Sequence, residues 1–260
     1  MITPEKILSN WDTFMSYMSY ISEDRRDQLI QFYNKFQERI MMMPAAHKKE
    51  YHSAFPGGYL DHVIRVMECA LKINQVWIEM GVDNSTYTVE ELIFSAMNHD
   101  LGKMGDEENE SYIPQTDNWR KEKLGEDYMF NNKIAFASVP DRGLFLLQAH
   151  DIKYSFNEMI TIQTHDGLYD EANKKYLMGF MTEQKPRTSL PFIVHQADLM
   201  AARIEWEVEW LPKFKNNLDG TKNKTILSGN KKTSSKTKAL NTIKSDGLKN
   251  VMGDFFDNNK

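Results

Sequence analysis

The amino-acid sequence predicts an all-α protein. Three observations carry that expectation: apolar residues recur at helical spacing through most of the first 212 residues, helix-start signals precede many of those runs, and no stretch alternates polar and apolar residues as a half-buried strand does. The first run opens on Thr3-Pro4-Glu5, a capping hydroxyl with proline in the first turn, and continues through Ile7, Leu8, Trp11 and Phe14. A second begins near Ser22, carries Leu29, Ile30, Phe32, Tyr33, Phe36 and Ile40, and is ended by Pro44. Gly57-Gly58 precede a third, in which Leu60, Val63, Ile64, Met67, Ala70 and Leu71 form a stripe that stops at Gly81. Thr88 and Glu91 make a capping box for a fourth, which runs through Leu92, Ile93, Ala96 and Met97 into His99-Asp100.

From Met104 to about Lys133 the chain is polar, acidic at Asp106 to Glu110 and then carrying Trp119-Arg120-Lys121. So long a connection inside a compact domain predicts a lid or a small substructure. Trp119, Arg120 and Lys123 are its candidates for closing over a base and its phosphates. Ser138-Val139-Pro140-Asp141 starts another helix, leading through Leu144, Phe145 and Leu147 to His150. A helix from Ser155 to Ile162 leads to Thr164-His165-Asp166-Gly167, and the last strong helix runs from about Ser189 past Trp210 and carries Asp198. The expected organisation is a helical domain over 1–212 and a Lys-rich, disordered tail over 213–260.

Composition bounds the function. A chain of 260 residues, 41% hydrophobic and 27% charged, is long enough for a real core and reads as a globular protein. No apolar stretch is long enough to span a membrane and the N-terminus has no basic region followed by an apolar one, which points to the cytoplasm and to no membrane partner. The single cysteine, Cys69, rules out a disulfide within the chain and lies in a helical run, where a buried inert thiol is expected. The net charge of −5 is unevenly spread: from Lys213 onward there are lysines but neither arginine nor glutamate, so the acidity lies in the body. An acidic body does not track phosphates. Nucleic acid could be touched only through the basic tail, whose Asn, Ser, Thr and Gly favour a solvated, disordered segment instead. No oligomeric state is legible.

The chemistry lies in the seven histidines. His47 reads as a surface residue, and His195, on the same helical face as Asp198, as a hydrogen-bonded core histidine before a cavity-lining one. His62, His99, Asp100 and Asp198 differ, because three of the four sit on or at the ends of apolar helices, where an unpaired polar group costs stability unless something binds it. A divalent metal is the most economical partner. Imidazole and carboxylate donors without thiolate suit manganese, iron, magnesium or zinc.

The order His62, then His99-Asp100-Leu101-Gly102-Lys103, then Ala197-Asp198-Leu199-Met200-Ala201, resembles the HD-domain superfamily of metal-dependent phosphohydrolases. Gly57-Gly58-Tyr59-Leu60-Asp61-His62 is similar to the glycine-rich stretch before the family's first histidine, with tyrosine inserted and aspartate for glutamate. The insertion around Ile113 to Arg120 and the Ser138 to Arg142 helix start resemble uncharacterised members from tailed phages. The resemblance spans roughly residues 50 to 205 and implies a helical HD-domain bundle with His62, His99, Asp100 and Asp198 as metal ligands. Members with a second ion add two histidines in the interval filled here by His150 and His165, with Asp100 bridging, so one or two ions are expected. His52, in His-Ser-Ala-Phe-Pro-Gly-Gly, resembles an earlier histidine that faces the substrate.

The implied reaction is cleavage of a phosphate ester of a nucleotide by metal-bound hydroxide, since ions about 3.5–4 Å apart lower the pKa of a bridging water and polarise a phosphoryl oxygen. Lys103 is the candidate for neutralising charge on the phosphate and Arg142 a further phosphate contact. Three rivals share the pattern: an HD-type 3′-to-5′ exoribonuclease, a diiron oxygenase of the same fold, and a non-catalytic nucleotide-binding module. The acidic body weighs against the first and the full ligand set against the last.

Overall fold

A computed structural model describes residues 2–49 and 51–212. The segment from residue 213, expected to be disordered, lies outside the described residues. What is described is mostly helical. Helix α1 (Pro4–Ser16) begins as its sequence predicts, with the Thr3 hydroxyl accepting the Lys6 N–H at 3.3 Å. The run from Ser22 forms two helices rather than one, α2 (Glu23–Lys35) and α3 (Gln37–Met42). The break falls at Phe36 (φ −108°), whose ring is buried against Phe32 and His150. Helix α4 (Gly58–Glu79) ends at Gly81, whose φ of +97° only glycine takes without strain. The predicted capping box closes the start of α5 (Val89–Asn98): Glu91 N–H donates to the Thr88 hydroxyl at 3.1 Å and Thr88 N–H to the Glu91 carboxylate at 2.9 Å.

The polar connection after α5 is a small substructure. Strands β1 (Tyr112–Pro114) and β2 (Tyr128–Phe130) pair antiparallel, with Tyr112 opposite Phe130, and flank α6 (Asn118–Leu124). Three-residue strands are too short to leave an alternation in the sequence, so this hairpin was not legible there. Then come α7 (Val139–Ala149), capped by Ser138, α8 (Phe156–Thr164), opened by a Ser155–Glu158 capping box, the single turn α9 (Lys174–Leu177), and α10 (Leu190–Glu205), extended by a π turn over Trp206–Trp210.

Helix α4 is the central element. It packs chiefly on α10 and α5, and α8 covers the other side of both. The contact faces are fully buried: Val63, Met67 and Ala70 from α4, Ile193, Ala197 and Ala201 from α10. Each large aliphatic side chain removed from water in this way contributes about 1.5–3 kcal/mol. From Leu92 to Asn98, α5 is buried on every side, which carries its last residues into the interior. Cys69 is buried on α4 and burial pushes its thiol pKa up, as an inert thiol requires. No helix among the described residues is long and apolar enough to cross a membrane.

Gly102 fixes how α7 meets the His99-Asp100 turn. A Cβ there would lie 2.0 Å from the Val139 carbonyl oxygen, at the start of α7. Gly102→Ala therefore forces two backbone segments apart, at a cost of about 1–3 kcal/mol. Thermal unfolding followed by circular dichroism is expected to show a fall in Tm of roughly 3–10 °C. An unchanged Tm contradicts this close approach.

Candidate metal centre

Four helices deliver one cluster. His62 comes from the first turns of α4, His99 and Asp100 from the end of α5, His165 from the end of α8 and Asp198 from α10. The His62 Nε2 lies 3.2 Å from Asp198 Oδ1 and 3.8 Å from Asp100 Oδ2. His99 Nε2 is 3.4 Å from Asp100 Oδ2, and His165 Nε2 is 3.6 Å from the other oxygen, Oδ1. The two oxygens of Asp100 thus face different histidines.

Local structure orients each imidazole. His99 and His165 cap their helices, where the last carbonyls lack helical partners, and the Nδ1 of each lies 2.8 and 2.7 Å from the carbonyls of Ala96 and Ile162. With Nδ1–H donating, the Nε2 lone pair points into the cluster. His62 uses the Glu205 carboxylate instead, with Nδ1 at 3.1 Å from Oε2 and 3.2 Å from Oε1. A carboxylate behind a ligating histidine fixes its tautomer and raises its basicity.

The residues fit a divalent ion on two counts. The buried Nε2 atoms of His62 and His99 have no hydrogen-bond partner, a cost that a bound cation removes. Donor atoms also fall into four overlapping groups whose members all lie within 4.8 Å of one another: His52–His62–Asp100, His62–His99–Asp198, His99–Asp100–His165 and His165–Asp166–Asp198.

Charge in the cluster is interlocked. Burial disfavours the imidazolium form, yet Glu205 and Asp198 raise His62 to about 10, and Asp100 and Asp166 raise His165 to about 9. Against burial, Lys103 and His99 hold Asp100 well below the usual carboxylate range, and His62 does the same for Asp198. Burial, reinforced by His62 and Lys103, keeps His52 neutral. A cation must therefore displace protons from His62 and His165, so affinity is lowest in acid and rises with pH towards those pKa values. Calorimetric titration with Mn²⁺ between pH 6 and 9 is expected to tighten about tenfold per pH unit for each proton displaced. An affinity independent of pH over that range contradicts the assignment.

The other expected residues divide. Lys103 Nζ sits 2.5 Å from Asp100 Oδ2 and lines the cleft above the cluster. The ring of His52 lies over His62, centroids 4.4 Å apart, and also lines that cleft. His195 is half-buried rather than a core residue: it lines the cleft, and its Nδ1 meets the His165 carbonyl at 2.8 Å. His150 is a correction. At the end of α7 it pairs with Glu107 and packs on Phe32 and Phe36, outside every donor group. Arg142 lies outside this cleft: its guanidinium bonds the Gly102 and Ala135 carbonyls and the Ser111 hydroxyl, and it lines an adjoining cleft together with Lys103. It ties the insertion to the His-Asp turn.

Two carboxylates were missed. Asp166 joins His165 and Asp198 in one donor group, and its signal was a second adjacent His-Asp pair. Glu205, seven residues after Asp198 on the same buried face of α10, had the signal of an acidic residue at an apolar helical position. The cleft holds about 590 Å³, in the range of small-molecule sites. The chain matches no family model, no curated protein and no solved structure.

Proposed function

We propose that this protein is a divalent-metal-dependent phosphohydrolase of the HD-domain superfamily, cleaving a phosphate ester of a nucleotide. The observation that carries the reading is the convergence of His62, His99, Asp100, His165 and Asp198 beside a cleft that Asp198 lines, with the buried Nε2 atoms of His62 and His99 facing the Asp198 and Asp100 carboxylates without a hydrogen bond. A divalent metal bound there supplies a water of lowered pKa and a Lewis acid for a phosphoryl oxygen.

The protein's own groups do the rest. Asp100, with one oxygen towards His62 and His99 and the other towards His165, suits two ions, His165 and Asp166 completing the second set in place of His150. Lys103 brings a cation to the cleft floor, where it meets the charge of the phosphoryl group. His52, which lines the cleft and whose Nε2 has no hydrogen-bond partner, would meet a phosphate oxygen. His195, bonded to the His165 carbonyl, holds that ligand in position. Assaying phosphate release from a panel of nucleoside monophosphates, triphosphates and cyclic nucleotides in added Mn²⁺ tests the reading. Metal-dependent release from at least one class is expected. Bound metal with no release from any contradicts it and favours the oxygenase of the same ligand set.

A further inference from the structure

One wall of the cleft is aromatic and is built by two separate segments. Tyr112 and Phe130, paired across the β1–β2 hairpin, have ring centroids 5.3 Å apart, and His47 adds a third ring 5.0 Å from Phe130 and 6.2 Å from Tyr112. All three line the cleft that also exposes Lys103 and Asp198. The two segments are fastened by backbone: Tyr128 N–H donates to the His47 carbonyl at 3.3 Å and Lys49 N–H to the Gly125 carbonyl at 2.9 Å. Ion pairs from Lys48 to Glu126 and Lys49 to Asp127 reinforce the joint. The shelf is therefore organised before anything binds. Phe130 nonetheless remains 62% exposed, a large ring left uncovered on a built wall.

Resting on the phosphohydrolase reading, we infer that Tyr112, Phe130 and His47 form a stacking shelf for the nucleobase of the substrate, and that the base is held by its face with little discrimination among bases. Flat aromatic groups on the wall and a cation with metal donors at the floor match a molecule that is aromatic at one end and phosphorylated at the other. Burial and the neighbouring Lys48 lower the His47 pKa, so the shelf is uncharged near neutral pH and does not compete for the phosphate. No asparagine, glutamine, serine or threonine lines this cleft among the described residues. Those side chains read base edges, and the charged groups here that can also do so, Lys103, Asp166 and Asp198, belong to the metal end of the cleft, whereas stacking tolerates every base because each has a π-face.

The test is calorimetric binding of adenosine, guanosine, cytidine and uridine to the full chain, with ribose 5-phosphate as the base-free probe. Nucleosides carry no phosphate to cleave, so the result is independent of turnover and separates failure of the shelf from failure of the hydrolase reading. The four nucleosides are expected to bind within about tenfold of one another. Phe130→Leu, which keeps apolar bulk but removes the ring, is expected to weaken each by about tenfold (~1.4 kcal/mol) while weakening ribose 5-phosphate by less than about twofold. Phe130→Trp restores nucleoside binding. The inference is overturned if Phe130→Leu binds nucleosides as wild type does, if one base is preferred by more than about 100-fold, or if wild type binds none at millimolar concentration.

Discussion

Asp100→Ala is expected to empty the metal centre and to lower phosphate release by more than about 100-fold, since loss of a mere supporting residue already costs about 10–100-fold in metal affinity or activity. Asp100 lies within 4 Å of His62, His99 and His165 at once, with one oxygen towards His62 and His99 and the other towards His165. Its removal also strands the Lys103 ammonium, which Asp100 holds above its ordinary pKa despite burial. Some destabilisation therefore accompanies the change, and Asp100→Asn, of nearly the same shape, separates charge from packing. Elemental analysis and phosphate release on both variants, at temperatures well below their measured Tm, are the checks. Full metal content in either variant rules out a bridging role.

Arg25→Ala is expected to cost the most stability. From α2, Arg25 reaches Glu90 at the start of α5 and Glu158 on α8, both at 2.7 Å, and lies 4.2 Å above the Phe94 ring. Glu158 is fully buried, and burial pushes its carboxyl pKa up while Arg25 draws it back. Removing the guanidinium leaves a buried carboxylate unpaired, at a cost of about 3–5 kcal/mol. For a domain of this size the expected fall in Tm is roughly 6–20 °C. Glu158 also closes the capping box of α8, whose far end carries His165, so a loosened α8 disturbs the metal centre as well. The double variant Arg25→Ala/Glu158→Ala is expected to recover part of the loss in urea denaturation, because no lone charge remains buried. Equal stability of Arg25→Ala and wild type contradicts the anchor.

The legible parts of the fold were those set by neighbours in sequence. Thr3, Thr88, Ser138 and Ser155 act on N–H groups three residues away, so the starts of α1, α5, α7 and α8 could be read without a structure. His62, His99, Asp100 and Asp198 stood out as polar groups in an apolar helical setting, His165 entered through the resemblance as a second-ion ligand, and the fold brings all five together. What was not legible depends on where an element lands. His150 and His165 both follow an apolar helix, but the end of α7 meets Phe32 and Phe36 while the end of α8 meets Asp100. Trp119 was the conspicuous aromatic of the insertion, yet it is exposed and away from the cleft wall, which Tyr112 and Phe130 form through a pairing that three-residue strands do not announce.

The most direct test of the central claim is the metal content of gently purified wild-type protein, measured by elemental analysis. One or two divalent ions per chain are expected, held by the cluster of His62, His99, Asp100, His165 and Asp198. Protein that is folded and binds no divalent metal under any condition contradicts it.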